Sequence, residues 1–342
     1  MDTNVEYKAE GVEAEQDMLS LLPDKLTVST SPHIKHKDNT GRLMLDVIIA
    51  LLPALVFGIY YAFSNDVKYG LNSVFLTLVS VAACVFFEWG FQKLNRRPVT
   101  VGDFSAALTG VLLAMNVPAT LPVWMIIIGA FFAIVVVKQL FGGIGKNIVN
   151  PALAARVVLF MSFADYMSGS AYALDAEASA TPLVSLKAGD LSGIDILDLF
   201  IGKTDGCIGE LSALLLILGA LYLFIRRVIT WHIPVAYIGT VAILCVLFPI
   251  GGADRVTFML AELLSGGLML GALFMATDYA TSPVTPKGRI IYGVIAGLIT
   301  VFIRFFCGNP EGVSFAILIS NLLVWYLDKF TRPKKFGGVK RS

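Results

Sequence analysis

The sequence predicts an all-α integral membrane protein of about ten transmembrane helices, built as two inverted five-span repeats with broken helices. Its 342 residues are 56% hydrophobic and only 15% charged, with a mean hydropathy of +0.77, the composition of a chain that lives in lipid. The apolar residues come in unbroken runs instead of alternating with polar ones, so each run is a buried or lipid-facing helix and not a half-buried strand. Lys and Arg fall in clusters between alternate runs, as the positive-inside tendency requires of a multi-pass protein.

Taken in order, residues 1–31 are a soluble acidic arm: Glu6, Glu10, Glu13, Glu15 and Asp17 accompany few aromatics, and no apolar core of a signal peptide is present. The first membrane repeat occupies residues 32–167, with spans near Leu43 to Phe63, Ser73 to Phe91, Phe104 to Val117, Val123 to Leu140 and Pro151 to Met167. Two of these, Phe104 to Val117 and Pro151 to Met167, are short or polar-flanked, the mark of broken helices that line a protein interior. Residues 168–208 form the longest internal polar connection. The second repeat, residues 209–328, has spans near Leu211 to Ile225, Ile233 to Pro249, Thr257 to Met275, Ile290 to Phe306 and Val313 to Leu327. A basic tail, residues 329–342, closes the chain.

Lys35, Lys37 and Arg42, then Lys93, Arg96 and Arg97, then Lys138 and Lys146, then Arg226 and Arg227, then Lys287 and Arg289, and finally the tail share one face of a ten-span arrangement. That face is cytoplasmic, and both termini with it. The connection holding Asp175, Glu177, Asp190, Asp195, Asp198 and Asp205 is then extracytoplasmic. The halves echo one another, since Leu108-Thr109-Gly110 recurs as Leu264-Ser265-Gly266, and Asn150-Pro151 as Asn309-Pro310. Five is an odd number, so a tandem five-span unit enters the membrane from opposite sides and builds its site at the repeat interface.

Other chemistry is sparse. A net charge of +1 gives no basic field for nucleic acid. Cys84, Cys207, Cys245 and Cys307 are scattered, without C-x-x-C or a histidine at ligand spacing, so no metal site is read. No P-loop, Gly-rich dinucleotide turn or nucleophile constellation is found. Taken alone, Asp175 to Leu183, D-A-E-A-S-A-T-P-L, reads first as an ordinary Ala/Ser-rich loop and only second as an attachment site that presents the Thr181 hydroxyl.

Several strings change that balance: Ser31-Pro32-His33, D-F-S-A-A-L-T-G-V-L-L-A from Asp103, K-Q-L-F-G-G-I-G-K-N from Lys138, N-P-A from Asn150, G-C-I-G-E from Gly206, A-T-D-Y-A-T-S-P-V-T-P-K-G-R from Ala276, and G-N-P-E-G-V-S-F-A-I-L-I-S-N from Gly308. Together, from Ser31 to Asp328, they resemble the RnfD/NqrB family, the membrane subunits of Rnf-type ferredoxin:NAD+ oxidoreductases and of Na+-pumping NADH:quinone oxidoreductases. The short acidic arm favours the RnfD branch over the NqrB branch. The resemblance implies ten helices in an inverted repeat and FMN held by a phosphoester bond to Thr181, attached by a flavin transferase. It also allows a second, noncovalent flavin such as riboflavin, implies other Rnf subunits as partners with nicotinamide and ferredoxin bound elsewhere, and implies Na+ or H+ as the transported ion in a bacterial inner membrane. Asp175, Ala180 and Thr181 match the family's attachment motif, whereas Ala178 stands where Ser, Thr or Gly is usual and Ser179 where Gly is usual. A solute permease and a purely structural anchor are the rival classes.

Within that frame, Asn147, Asn150, Thr277, Asp278 and Thr285 are candidate flavin contacts, with helix capping or interhelical hydrogen bonding as the competing role. Arg156 either neutralises a flavin phosphate or pairs with a carboxylate. Glu88, Glu262 and Asp278 are candidates for an ion route, with structural pairing as the alternative. Asp46 and Arg304 are further intramembrane charges, and Glu210 reads as an interface-level charge that needs no partner.

Overall fold

The computed structural model describes residues 39–167, 182–189, 194–250, 254–308 and 311–333. The acidic arm, the Thr181 attachment segment, Asn309-Pro310 and the end of the basic tail lie outside the described residues. All ten sequence-predicted segments are helical, and no strand occurs among the described residues.

In the first half α1 spans Thr40–Asn65, α2 Val67–Leu94, α3 Ser105–Met115, α4 Val123–Gln139 and α5 Pro151–Ser162. In the second, α6 spans Ala213–Ile225, α7 His232–Leu247, α8 Arg255–Leu264 with a continuation Leu268–Met275, α9 Pro286–Phe306 and α10 Val313–Thr331. Local chemistry starts them. The Asp66 carboxylate accepts from Lys68 N–H to open α2, Asn150 accepts from Ala152 and Leu153 with Pro151 in the first turn of α5, and Thr285 accepts from Gly288 with Pro286 in the first turn of α9.

Four helices, α1, α2, α9 and α10, are long and apolar enough to cross a membrane, and α8 makes a fifth if its two parts count as one span. The other five are apolar but shorter. At about 1.5 Å per residue, α3 covers roughly half of a hydrocarbon core about 30 Å thick, and it is buried along nearly its whole length. The expected break in Pro151 to Met167 falls at Phe163, between α5 and the short helix Ala164–Met167. The continuous span expected over Thr257 to Met275 is corrected: the chain bends by 66° between the two parts of α8. Gly266 adopts φ +63° there, a conformation that favours glycine, in the segment that the sequence displays only as an echo of Leu108-Thr109-Gly110.

Packing follows the same scheme in both halves. α2 packs on α3 and α4, and α7 packs on α8 and α9, while α1 meets α6 and α5 meets α10 across the halves. Small residues permit the close approaches. A Cβ at Gly219 of α6 would lie 2.3 Å from the Ala50 carbonyl oxygen of α1, and one at Gly293 of α9 2.9 Å from that of Ile233. The α1/α6 seam also carries Asp46, which accepts from Arg226 at 3.0 Å and from the Tyr222 hydroxyl at 3.0 Å.

Candidate functional site

A cavity of about 640 Å³ opens between the halves. Its walls come from α1 and α3, the end of α4, the turn into α5, the end of α6, the segment after α8 and the end of α10. Leu43, Leu108, Leu112, Ile229 and Phe274 supply apolar surface, and Ser105, Thr109, Asn147, Asn150, Thr277 and Asp278 supply hydrogen-bonding groups. Concave, mostly apolar walls with a few convergent polar groups are what an amphipathic small molecule requires.

Four sequence-predicted residues therefore meet in one place. Asn150 is fixed from two sides: its Oδ1 caps α5, and its Nδ2 donates to the Met275 carbonyl at 3.2 Å, tying the first half to the end of α8. The Thr277 hydroxyl donates to Leu273 O at 2.8 Å. Asp278 lies beyond the last turn of α8 and accepts from the Thr281 hydroxyl at 3.1 Å. Burial pushes its carboxyl above the ordinary carboxylate range, opposed by that hydrogen bond, by backbone N–H groups and by the nearby Lys138 charge. Thr285 stays outside the cavity. It caps α9 and shares a hydrogen bond with Thr331 of α10.

Lys138 is the residue that the sequence did not single out. Counted there with the cytoplasmic charges, it is only 3% exposed. Its ammonium lies 2.9 Å from Glu88 Oε2 and 2.6 Å from Ser105 Oγ, at the cavity wall. Glu88 Oε1 accepts from Gln139 at 2.8 Å and Gln92 at 3.3 Å. Glu262 has its own partner, Arg304, whose guanidinium donates to Glu262 Oε2 at 2.7 Å, to Glu262 O at 2.6 Å and to Ser265 O at 3.1 Å. Arg304 thus satisfies carbonyls that the bend in α8 removes from the helical ladder.

Arg156 pairs with carboxylates, away from the large cavity. Its guanidinium donates to Glu210 Oε1 and Glu311 Oε2, each at 2.7 Å, and to Asn116 Oδ1 at 2.8 Å. Glu210 is accordingly buried in an ion pair, which corrects its assignment as an interface-level charge: its partner lies 54 residues earlier, on α5. Glu210 and Glu311 border a second cavity of about 30 Å³, together with Pro182, Leu183, Ser265 and Gly266. Pro182 is the residue that follows Thr181 in the chain. Lys187, at the end of the short helix Pro182–Lys187, donates to the Cys307 and Gly308 carbonyls at the end of α9.

Fold and cavity together define a helical membrane protein with a cavity of mixed apolar and polar lining at the junction of its two halves. The chain belongs to the NQR2, RnfD, RnfE family, whose model matches residues 27–337. It is 47% identical, over 92% of its length and 96% of the relative's, to the D subunit of the Na+-translocating ferredoxin:NAD+ oxidoreductase complex of Acetobacterium woodii. It is 40% identical, over 91% and 96%, to the D subunit of the proton-translocating ferredoxin:NAD+ oxidoreductase complex of Clostridium ljungdahlii. It is 34% identical, over 91% and 97%, to the D subunit of the ion-translocating oxidoreductase complex of Actinobacillus succinogenes. These relatives are subunits of oxidoreductases, and the first two are named for different ions.

Proposed function

We propose that the chain is the membrane electron-transfer component, of the RnfD type, of an ion-translocating ferredoxin:NAD+ oxidoreductase. In this assignment it carries FMN as a phosphoester on Thr181, holds a second, noncovalent flavin such as riboflavin in the large cavity, and couples electron flow to Na+ or H+ transport. The observation that carries the assignment is the convergence of Asn147, Asn150, Thr277 and Asp278 from both halves on one cavity, in a chain of this family. A bound flavin would supply one- and two-electron chemistry. The chain's own residues would hold it: amide and hydroxyl groups of Asn147, Asn150 and Thr277 suit the imide edge of the ring, and Leu108, Leu112 and Phe274 suit its apolar body.

Ten spans in two inverted repeats, with both termini cytoplasmic and the Thr181 loop extracytoplasmic, complete the picture in a bacterial inner membrane. The matching packing of α2 with α4 and of α7 with α9 supports the repeat. Glu88 and Glu262 are held by Lys138 and Arg304, which favours Asp278 as the ion-route carboxylate: among the described residues it has hydrogen-bond partners but no salt bridge. The other Rnf subunits are the partners that bring nicotinamide and ferredoxin, and a flavin transferase acts during maturation.

Mass spectrometry of the Thr181 peptide from the complete complex tests the covalent part. The added flavin phosphate is expected, and Thr181→Ala removes it. Acid precipitation tests the cavity, since Asn150→Leu should lower the releasable flavin by one equivalent per chain. An unmodified Thr181 peptide rejects the first assignment, and unchanged releasable flavin rejects the second.

A further inference from the structure

We infer that Lys138 is a positioning residue for the redox ligand of the large cavity, and that its ammonium favours the reduced, negatively charged form of that ligand. The inference rests on the proposed flavin content of the cavity. It goes beyond it in assigning the electrostatic control of the site to one side chain.

Among the described residues that line the cavity, Lys138 is the cation, while the charged groups on the other walls, Asp278 and Asp328, are acids. Two of its three N–H donors are taken by Glu88 and Ser105, which leaves one for a ligand. The ammonium is held in place: Glu88 is fixed by Gln139 and Gln92, and Ser105 in turn donates to Asp103 Oδ1 at 2.5 Å. A charge oriented before the electron arrives needs no reorganisation when the ligand becomes negative, and in a water-poor site it acts more strongly than in water. If the lysine served only to neutralise Glu88, its place on the cavity wall would have no use. The buried pair of the second half, Glu262 with Arg304, is not part of that wall.

No bond to Lys138 forms or breaks in this role. The electrons come from the iron–sulfur or flavin donor of the complex, and the lysine keeps its proton. Exchanging a charge-assisted hydrogen bond for a neutral one costs about 1.4 kcal/mol, or about tenfold in the affinity of the reduced over the oxidised ligand. For a two-electron couple that is a shift of about 30 mV.

The test uses the complete complex with Glu88→Gln and Lys138→Gln together, which removes the cation without leaving a lone buried carboxylate. Spectroelectrochemistry of the acid-releasable flavin should show a midpoint potential lower by about the tenfold equivalent, with assembly and Thr181-linked flavin fluorescence retained. An unchanged potential with wild-type flavin content overturns the role of Lys138 and leaves the cavity assignment intact. Releasable flavin that is unchanged by Asn150→Leu overturns the cavity assignment itself, and this inference with it. Should the double variant fail to assemble, Glu88→Gln alone decides, because an ammonium without its counter-ion should raise the potential. No rise overturns the proposal.

Discussion

The two halves each bury a carboxylate–cation pair that involves the last turn of their fourth helix, but they arm it differently. In the first half the cation is Lys138, on a cavity wall, and its partner Glu88 has two amide donors in reserve. In the second half it is Arg304, spread over Glu262 and two carbonyls beside a broken helix. Arg offers a planar fork of five donors that can hold several acceptors at once, whereas Lys offers a compact point charge with few directions to satisfy. A guanidinium suits the repair of an interrupted backbone. An ammonium suits a wall that must leave a donor for something else.

This contrast predicts unequal damage. Arg304→Met should do the most harm, at about 3–5 kcal/mol, because Glu262 and the carbonyls of the α8 bend lose the donors that satisfy them. Thermal unfolding of the detergent-solubilised complex should show it as a large fall in transition temperature or loss of assembly. Lys138→Met should cost less, since Glu88 keeps Gln139 and Gln92, and equal losses for the two variants would break the comparison. Gly267→Ala comes next. Its Cβ would lie 2.6 Å from Glu210 Oε1, and crowding of this kind costs about 1–3 kcal/mol. Restoring room with Glu210→Asp should recover part of that loss. Smallest is Thr285→Ala, which removes the α9 cap for about 1 kcal/mol and leaves flavin content unchanged, because Thr285 lies outside the cavity. A change in releasable flavin in that variant would redraw the site.

What the sequence displayed and what it hid have a common physical cause. Apolar runs located α1 to α10 because desolvation of long segments is a local property. The polar candidates Asn147, Asn150, Thr277 and Asp278 were legible because amides, hydroxyls and carboxylates stand out in such a chain. Their grouping was not, since it depends on contacts such as that of Asn150 with Met275, 125 residues away. Lys138 and Glu210 read in the sequence as charges at the membrane face for the same reason: each is buried by a partner 50 or more residues distant. The bend at Gly266 was not legible because glycine is frequent in membrane helices of every shape. For Arg156 the structure shows the carboxylate pairing, with Glu210 and Glu311, both far from it in sequence.

The second part of α4, Phe132–Gln139, is wound as a π-helix. Along α4 the buried residues recur in pairs four apart: Met125 and Ile126, Gly129 and Ala130, Ala133 and Ile134, and Val137 and Lys138, with Gln139 buried beside the last. In a regular α-helix a four-residue repeat overshoots one turn by about 40°, so the last pair would be carried roughly 120° away from the first. The wider winding, with its i→i+5 bonds, keeps the seam straight and delivers an ammonium group to the inside of a membrane protein at the end of an otherwise apolar strip. A helix that merely spans lipid has no need of such winding. Here it works as a gear that sets which way one charged side chain faces.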